Sequence, residues 1–126
     1  MRVKSRADYV ISDSTVVVKA AVRAADRLEI ANKTLARIIG VSEATVSRMR
    51  KGEYSLGKNQ KPFELAVLFI RFYRSLDGVV DGDDTVARAW LKNDNSALRS
   101  APIKLIQSVS GLTDVIQYLD ARRAIV

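Results

Sequence analysis

Twenty residues, Lys33-Thr-Leu-Ala-Arg-Ile-Ile-Gly-Val-Ser-Glu-Ala-Thr-Val-Ser-Arg-Met-Arg-Lys-Gly, constrain the fold more than any other part of the chain. They hold the parts of two short helices that meet at a steep angle through a tight turn. Ala36 is small enough for the helices to approach closely, and Gly40 can take the positive φ such a turn demands. Ser42 is a fitting N-cap for the second helix and Gly52 a fitting stop. Leu35, Ile39, Val41, Val46 and Met49 recur at the spacing that fills the wedge between the helices. The outer face of the second helix is left polar.

The remainder of the chain is also helical in pattern. Residues 14–30 place Val17, Ala21, Ala24 and Leu28 on one face, with Asp13 or Ser14 as the expected N-cap. Residues 1–13 lack helical periodicity and read as a basic arm. Pro62 suits the first turn of a long helix over residues 63–76, apolar nearly all round. Such a helix must be buried, either centrally or against another subunit. Asp83 is placed to cap a fifth helix, Pro102 starts a short one, and Gly111 is expected to mark a bend. The last helix carries Leu112, Val115, Ile116 and Leu119 at i, i+3, i+4 and i+7, a stripe fit to face a core. No stretch shows sustained strand-type alternation, so the class is all-α. The division expected is an arm (1–13), a DNA-binding unit (14–61), a long apolar connecting or dimerisation helix (62–79) and a C-terminal helical unit with a short tail (80–126). The two halves are expected to pack together and the protein to form a homodimer, with Leu65, Leu68, Phe69 and Phe72 at or near the interface.

Charge is unevenly placed. The net charge is +7, and residues 1–62 hold 13 Lys/Arg against 6 Asp/Glu, while residues 63–126 hold 8 of each. A basic half joined to a neutral half implies a polyanion-binding module beside a module with a different partner. The chain has no cysteine and no histidine. Disulfides and thiolate metal sites are excluded, a reducing cytoplasm is the natural compartment, and the usual general base and transition-metal ligand are missing. The longest apolar run, residues 65–70, is too short to span a membrane, and the N-terminus shows no secretory h-region. Asp77, Asp81, Asp83 and Asp84 suggest a calcium loop, but the acidic twelfth position falls on Arg88 or Lys92, which rejects it. No phosphate-loop glycine pattern or carboxylate pair points to catalysis, and no cofactor or metal is expected.

A polar-faced second helix of this geometry enters the DNA major groove N-terminus first. Arg48 can make a bidentate contact to guanine; Ser42, Thr45 and Ser47 can bond phosphate or a base edge; Ala44 can touch a thymine methyl, and Glu43 shares the face. Lys33, Arg37, Arg50, Lys51 and Lys58 read as phosphate contacts, which position without specifying. The bland alternative is a helical hairpin in an ordinary bundle. The coincidence of small residue, turn glycine, serine cap and apolar wedge, on the basic half, favours DNA.

The run Leu35-Ala-x-x-x-Gly-Val-Ser-x-x-x-Val-Ser-Arg48 resembles the repressor-type helix-turn-helix of Xre and Cro-like proteins. In the second half, Phe72-Tyr-Arg-Ser-Leu-Asp-Gly, Ala87-Arg-Ala-Trp-Leu, Asn93-Asp-Asn-Ser-Ala-Leu, Pro102-Ile-Lys-Leu-Ile and Gly111-Leu-Thr-Asp-Val-Ile-Gln-Tyr-Leu resemble, in order, the toxin-binding domain of Xre/MbcA/ParS antitoxins. The resemblance implies a protein encoded beside a toxin, often a RES-domain enzyme that breaks down NAD. It implies that the C-terminal domain covers the toxin's active site while the helix-turn-helix represses the operon. The toxin-contacting residues expected on this basis are Trp90, Pro102, Gln117, Asp120, Arg122, Arg123, Ala124, Ile125 and Val126, the last few as a tail free to reach outward. Without the resemblance, Trp90 reads as a core or interface anchor, and Arg122 and Arg123 as solvated helix-end cations. The rival reading is a free-standing transcription regulator whose second half senses a ligand or only dimerises. An enzyme is the weakest reading.

Overall fold

A computed structural model describes the backbone of residues 6–124 and the side chains of residues 13–124. Its named elements are seven helices: α1 (Arg6–Arg27), α2 (Asn32–Ile39), α3 (Glu43–Arg50), α4 (Lys61–Val79), α5 (Asp84–Lys92), α6 (Pro102–Leu105) and α7 (Val109–Ala124). The all-α class is observed, with no named strand among the described residues.

Local chemistry sets most boundaries. Gly40 ends α2 at φ 74°, and its N–H and that of Val41 both return to the Ala36 carbonyl. Ser42 caps α3, accepting the Thr45 N–H at 3.0 Å. Past α3, Gly52 turns left-handed at φ 74°, its N–H bonds Met49 O and the Glu53 N–H bonds Arg48 O. Pro62 lies in the first turn of α4, and the Asp83 carboxylate caps α5 by accepting the Val86 N–H at 3.1 Å.

Two expected boundaries are corrected. First, α1 begins at Arg6, so most of the expected arm is helical; residues 1–5 lie outside the described residues. Ser14 is buried mid-helix, and its hydroxyl donates to the Leu56 carbonyl across 42 residues of sequence. A residue type that favours caps is used here to pin the loop after α3 onto α1. Second, Gly111 marks no bend. It lies in the first turn of α7, where a Cβ would stand 2.0 Å from the Leu105 carbonyl oxygen, so glycine is what lets α6 abut α7.

The core is continuous across both halves, running from Val18 through Leu35, Val46, Phe69 and Leu91 to Leu119. The middle helix, α4, packs against α1, α2, α5 and α7. This resolves its all-round apolarity: the helix is central. Phe69 and Phe72 are fully buried and face each other with ring centroids 6.0 Å apart inside the subunit, so they are corrected from interface to core. Leu68 is half-buried against the same core, and Leu65 lies over the α2–α3 turn, where a Cβ on Gly40 would stand 3.4 Å from its Cδ1. As expected, Leu112, Val115, Ile116 and Leu119 all face the core. Among the described residues no helix is long and apolar enough to cross a membrane.

Candidate nucleic-acid interface and partner face

The polar face of α3 is outward because Val46 and Met49 are buried beneath it. Of the residues read from sequence as DNA-facing, Lys33, Arg37, Ser42, Glu43, Ala44, Arg48 and Lys51 are exposed, as is Lys58, which pairs with Asp13 at 3.3 Å. Ser47 is half-buried. The positive end of the α3 dipole, at Ser42 and Glu43, belongs to this exposed surface.

Two side chains point elsewhere. Thr45 is 7% exposed, and its hydroxyl oxygen accepts from the Ser42 hydroxyl at 2.9 Å and from Arg48 Nη2 at 3.3 Å. It braces α3 from within and does not belong to the helix's exposed face. Arg50 was expected at a phosphate; instead its guanidinium turns inward. Nε donates to Asn32 Oδ1, Nη1 pairs with Asp26 Oδ1, and Nη2 donates to the Ile30 carbonyl at 3.3 Å. One arginine thus ties α3 to α1, to the α1–α2 turn and to the start of α2, with only 24% of its side chain exposed. Its partners lie 18 to 24 residues upstream, beyond the reach of a periodicity argument.

Two functional candidates escaped the sequence reading. Tyr54 holds the Arg48 guanidinium over its ring, 5.5 Å from centroid to Cζ. It follows α3 in a loop, so no helical spacing links it to Arg48. Tyr118 is the second, and its i,i+4 spacing to Arg122 was a usable signal.

The C-terminal face is built on α5 and α7. Trp90 is half-buried and stacks on Tyr118 at 6.5 Å, and Arg122 lies over the Tyr118 ring, 5.7 Å from its centroid. Tryptophan, tyrosine and arginine are the residue types that dominate binding energy at protein interfaces. Gln117 is exposed. Pro102 is buried where α6 meets its neighbours, so it supports the face rather than forming it, a correction to its expected contact role. Asp120 is half-buried and accepts from Ser75 at 2.7 Å and Arg71 at 3.2 Å. The Ser75 bond foremost, and Arg71 and Arg123 after it, hold its carboxyl below the ordinary aspartate range, against an opposing push from burial. The expected loose tail is corrected as well: Arg122, Arg123 and Ala124 are the exposed last turn of α7, and Ile125 and Val126 lie outside the described residues. Arg123 lies against Gly78 near the C-terminal end of α4, in an open groove with Arg71, Arg74 and Asp120.

The halves are joined by more than α4. Arg88 of α5 donates to the Arg27 carbonyl at 3.0 Å and approaches Glu29 at 3.8 Å, so it grips the same α1–α2 turn that Arg50 grips through Ile30. Among the described residues no cluster of His, Cys, Asp or Glu could hold a metal ion.

Two family models match the chain. The antitoxin Xre-like helix-turn-helix domain matches residues 11–71, and the antitoxin Xre/MbcA/ParS C-terminal toxin-binding domain matches residues 75–124. The passage from one to the other falls inside α4. A comparison with curated proteins finds no match.

Proposed function

The chain belongs to the Xre/MbcA/ParS antitoxin family, and from that premise we propose that it binds and inhibits a cognate toxin, a RES-domain enzyme that breaks down NAD, by covering its active site. In the same reading α2 and α3 bind operator DNA and repress the protein's own operon. One observation carries the proposal: a single core presents, from its first half, a helix with a polar outer face and, from its second, the half-buried Trp90 and Tyr118 rings with the exposed Arg122 guanidinium beside them. The protein acts as a DNA-binding inhibitor without chemistry of its own. Two-fold operators favour dimeric readers, so the DNA-bound form is taken as a homodimer whose contact does not include Phe69 and Phe72.

Inhibition rests on Trp90, Tyr118 and Arg122, with Gln117, Arg123 and Ala124 beside them. A guanidinium at the end of a fixed helix can pair with a carboxylate or another hydrogen-bond acceptor at the mouth of a pocket that takes a pyrophosphate. The test is co-expression with the adjacent reading frame, scoring growth and co-purification, for wild type and for Arg122→Glu. Wild type is expected to restore growth and to carry the toxin through purification, and Arg122→Glu to lose both while still binding DNA. A wild type that binds DNA but captures no enzyme supports a free-standing regulator instead.

A further inference from the structure

Within the DNA-binding reading, on which this inference rests, we propose that Tyr54 is a positioning residue for base recognition: with Thr45 it fixes the Arg48 guanidinium before DNA arrives, and so sets guanine as the base preferred opposite that side chain. A free arginine on a reading helix moves between phosphate and base, and a phosphate contact carries no sequence information. Discrimination needs the planar fork held at one angle to the base edge.

The chain after α3 does this. Gly52 reverses direction at φ 74°, and the Glu53 N–H returns to the carbonyl of Arg48 itself at 2.9 Å. That closure brings the next residue, Tyr54, back beside the Arg48 side chain. The Tyr54 ring is half-buried against the core, so it is a fixed surface, and it lies 5.5 Å from Arg48 Cζ. At one edge of the guanidinium, Nη2 donates to Thr45 Oγ1 at 3.3 Å, and Thr45 is in turn held by the capping Ser42 hydroxyl at 2.9 Å. Ring face and one N–H are thereby engaged. A guanidinium has five N–H donors, and two outward ones suffice for guanine O6 and N7. The N-cap, the brace and the ring form one chain of contacts that ends on the base-reading group.

The test selects binding sites for the full chain from a randomised duplex DNA library, comparing wild type, Arg48→Ala, Tyr54→Phe and Tyr54→Leu. Wild type enriches a guanine position that Arg48→Ala loses. Tyr54→Leu, which keeps bulk and removes the π face, weakens enrichment at that same position and lowers affinity for the selected site about three- to tenfold, with binding to unrelated DNA unchanged. Tyr54→Phe, which keeps the π face, retains both. Tyr54→Leu matching wild type, or shifting positions that Arg48→Ala leaves alone, overturns the proposal. A wild type that enriches nothing removes the DNA-binding reading itself and the proposal with it. Should Tyr54→Leu fail to melt cooperatively, the wild type alone decides. The ring current of Tyr54 must shift the Arg48 side-chain NMR signals upfield in the free protein, and random-coil shifts there overturn the proposal.

Discussion

Arg48 and Arg50 on α3 mirror Arg122 and Arg123 on α7. In each pair one guanidinium lies over a tyrosine ring, Arg48 on Tyr54 and Arg122 on Tyr118, and the other is drawn back across its own half of the molecule. The difference is in how firmly the second member is held. Arg50 has three acceptors, from Asp26, Ile30 and Asn32, and is mostly covered. Arg123 lies in an open groove against Gly78, with Asp120 held chiefly by Ser75 and Arg71. The end proposed to face DNA therefore has α3 tied in place in the free protein. The C-terminal end keeps an open groove lined by Arg71, Arg74, Asp120 and Arg123. DNA offers a repeating target that rewards a rigid reading head, whereas an enzyme's surface is met by hot-spot side chains with local adjustment.

The largest effects expected fall on the two glycines that set each half's helix geometry. Gly111→Ala drives a Cβ into the Leu105 carbonyl at 2.0 Å, and backbone must move, so we expect a loss of about 3 kcal/mol or more. Gly40→Ala meets only Leu65 Cδ1 at 3.4 Å, and its cost is chiefly the left-handed φ of 74°, about 1–2 kcal/mol. Urea unfolding of both variants checks the order. Equal losses would break the contrast, because close helix approach would then matter no more than turn conformation.

These glycines also show what the sequence makes legible. Gly40, Ser42, Gly52 and Asp83 act through bonds to residues three or four positions away, so their roles can be read locally. Gly111 acts through a neighbouring helix, and its residue type alone suggested a bend. Ser14 and Arg50 find partners 42 and up to 24 residues away, and nothing in their spacing names those partners. The all-round apolar α4 fitted a central position and an interface equally well, and only the packing of α7 and α1 on either side of it decides for the centre. The outward set of α3 was readable because two periodicities, buried and polar, cross on one short helix. The α5–α7 cluster was readable only in part: the quoted motifs contain Trp90 and Tyr118, and Arg122 stood out as a helix-end cation, but nothing in the sequence stacks the one ring on the other.

A smaller effect separates Arg50 from its neighbour Lys51. Arg50→Ala removes the tie to α1 and α2, and with Asp26 well exposed the loss is expected at about 1–2 kcal/mol of stability. DNA binding should weaken with an unchanged salt slope, because no phosphate contact is lost. Lys51→Ala should leave stability nearly unchanged and reduce the slope of log K against log salt by about 0.9. Titrations at four salt concentrations measure both. A slope change in Arg50→Ala would return that side chain to the phosphate backbone and undo the claim that the reading head is tied internally.

The smallest effect concerns the looser end, and it is read through pH. Asp120 has its folded pKa lowered, first by the Ser75 hydrogen bond and then by Arg71 and Arg123, with Arg74 also in the groove. A lowered aspartate pKa contributes stability that is fully present above the unfolded value, near 3.9, because both states are then ionised. As pH falls the unfolded chain takes up its proton first, and the contribution is gone once pH has passed below the folded pKa. Asp120→Asn cannot titrate, so its deficit relative to wild type, seen at pH 7 as a lower urea midpoint, should narrow in acid. Salt divides the causes. In ~1 M NaCl the Debye length is about 3 Å, and attraction from the exposed Arg71 and Arg123 is screened while the Ser75 bond persists. The deficit should therefore shrink but not vanish. A deficit that disappeared in salt would make the groove a purely coulombic cluster, and one independent of pH would mean that Asp120 is held in the folded protein no differently from the unfolded chain.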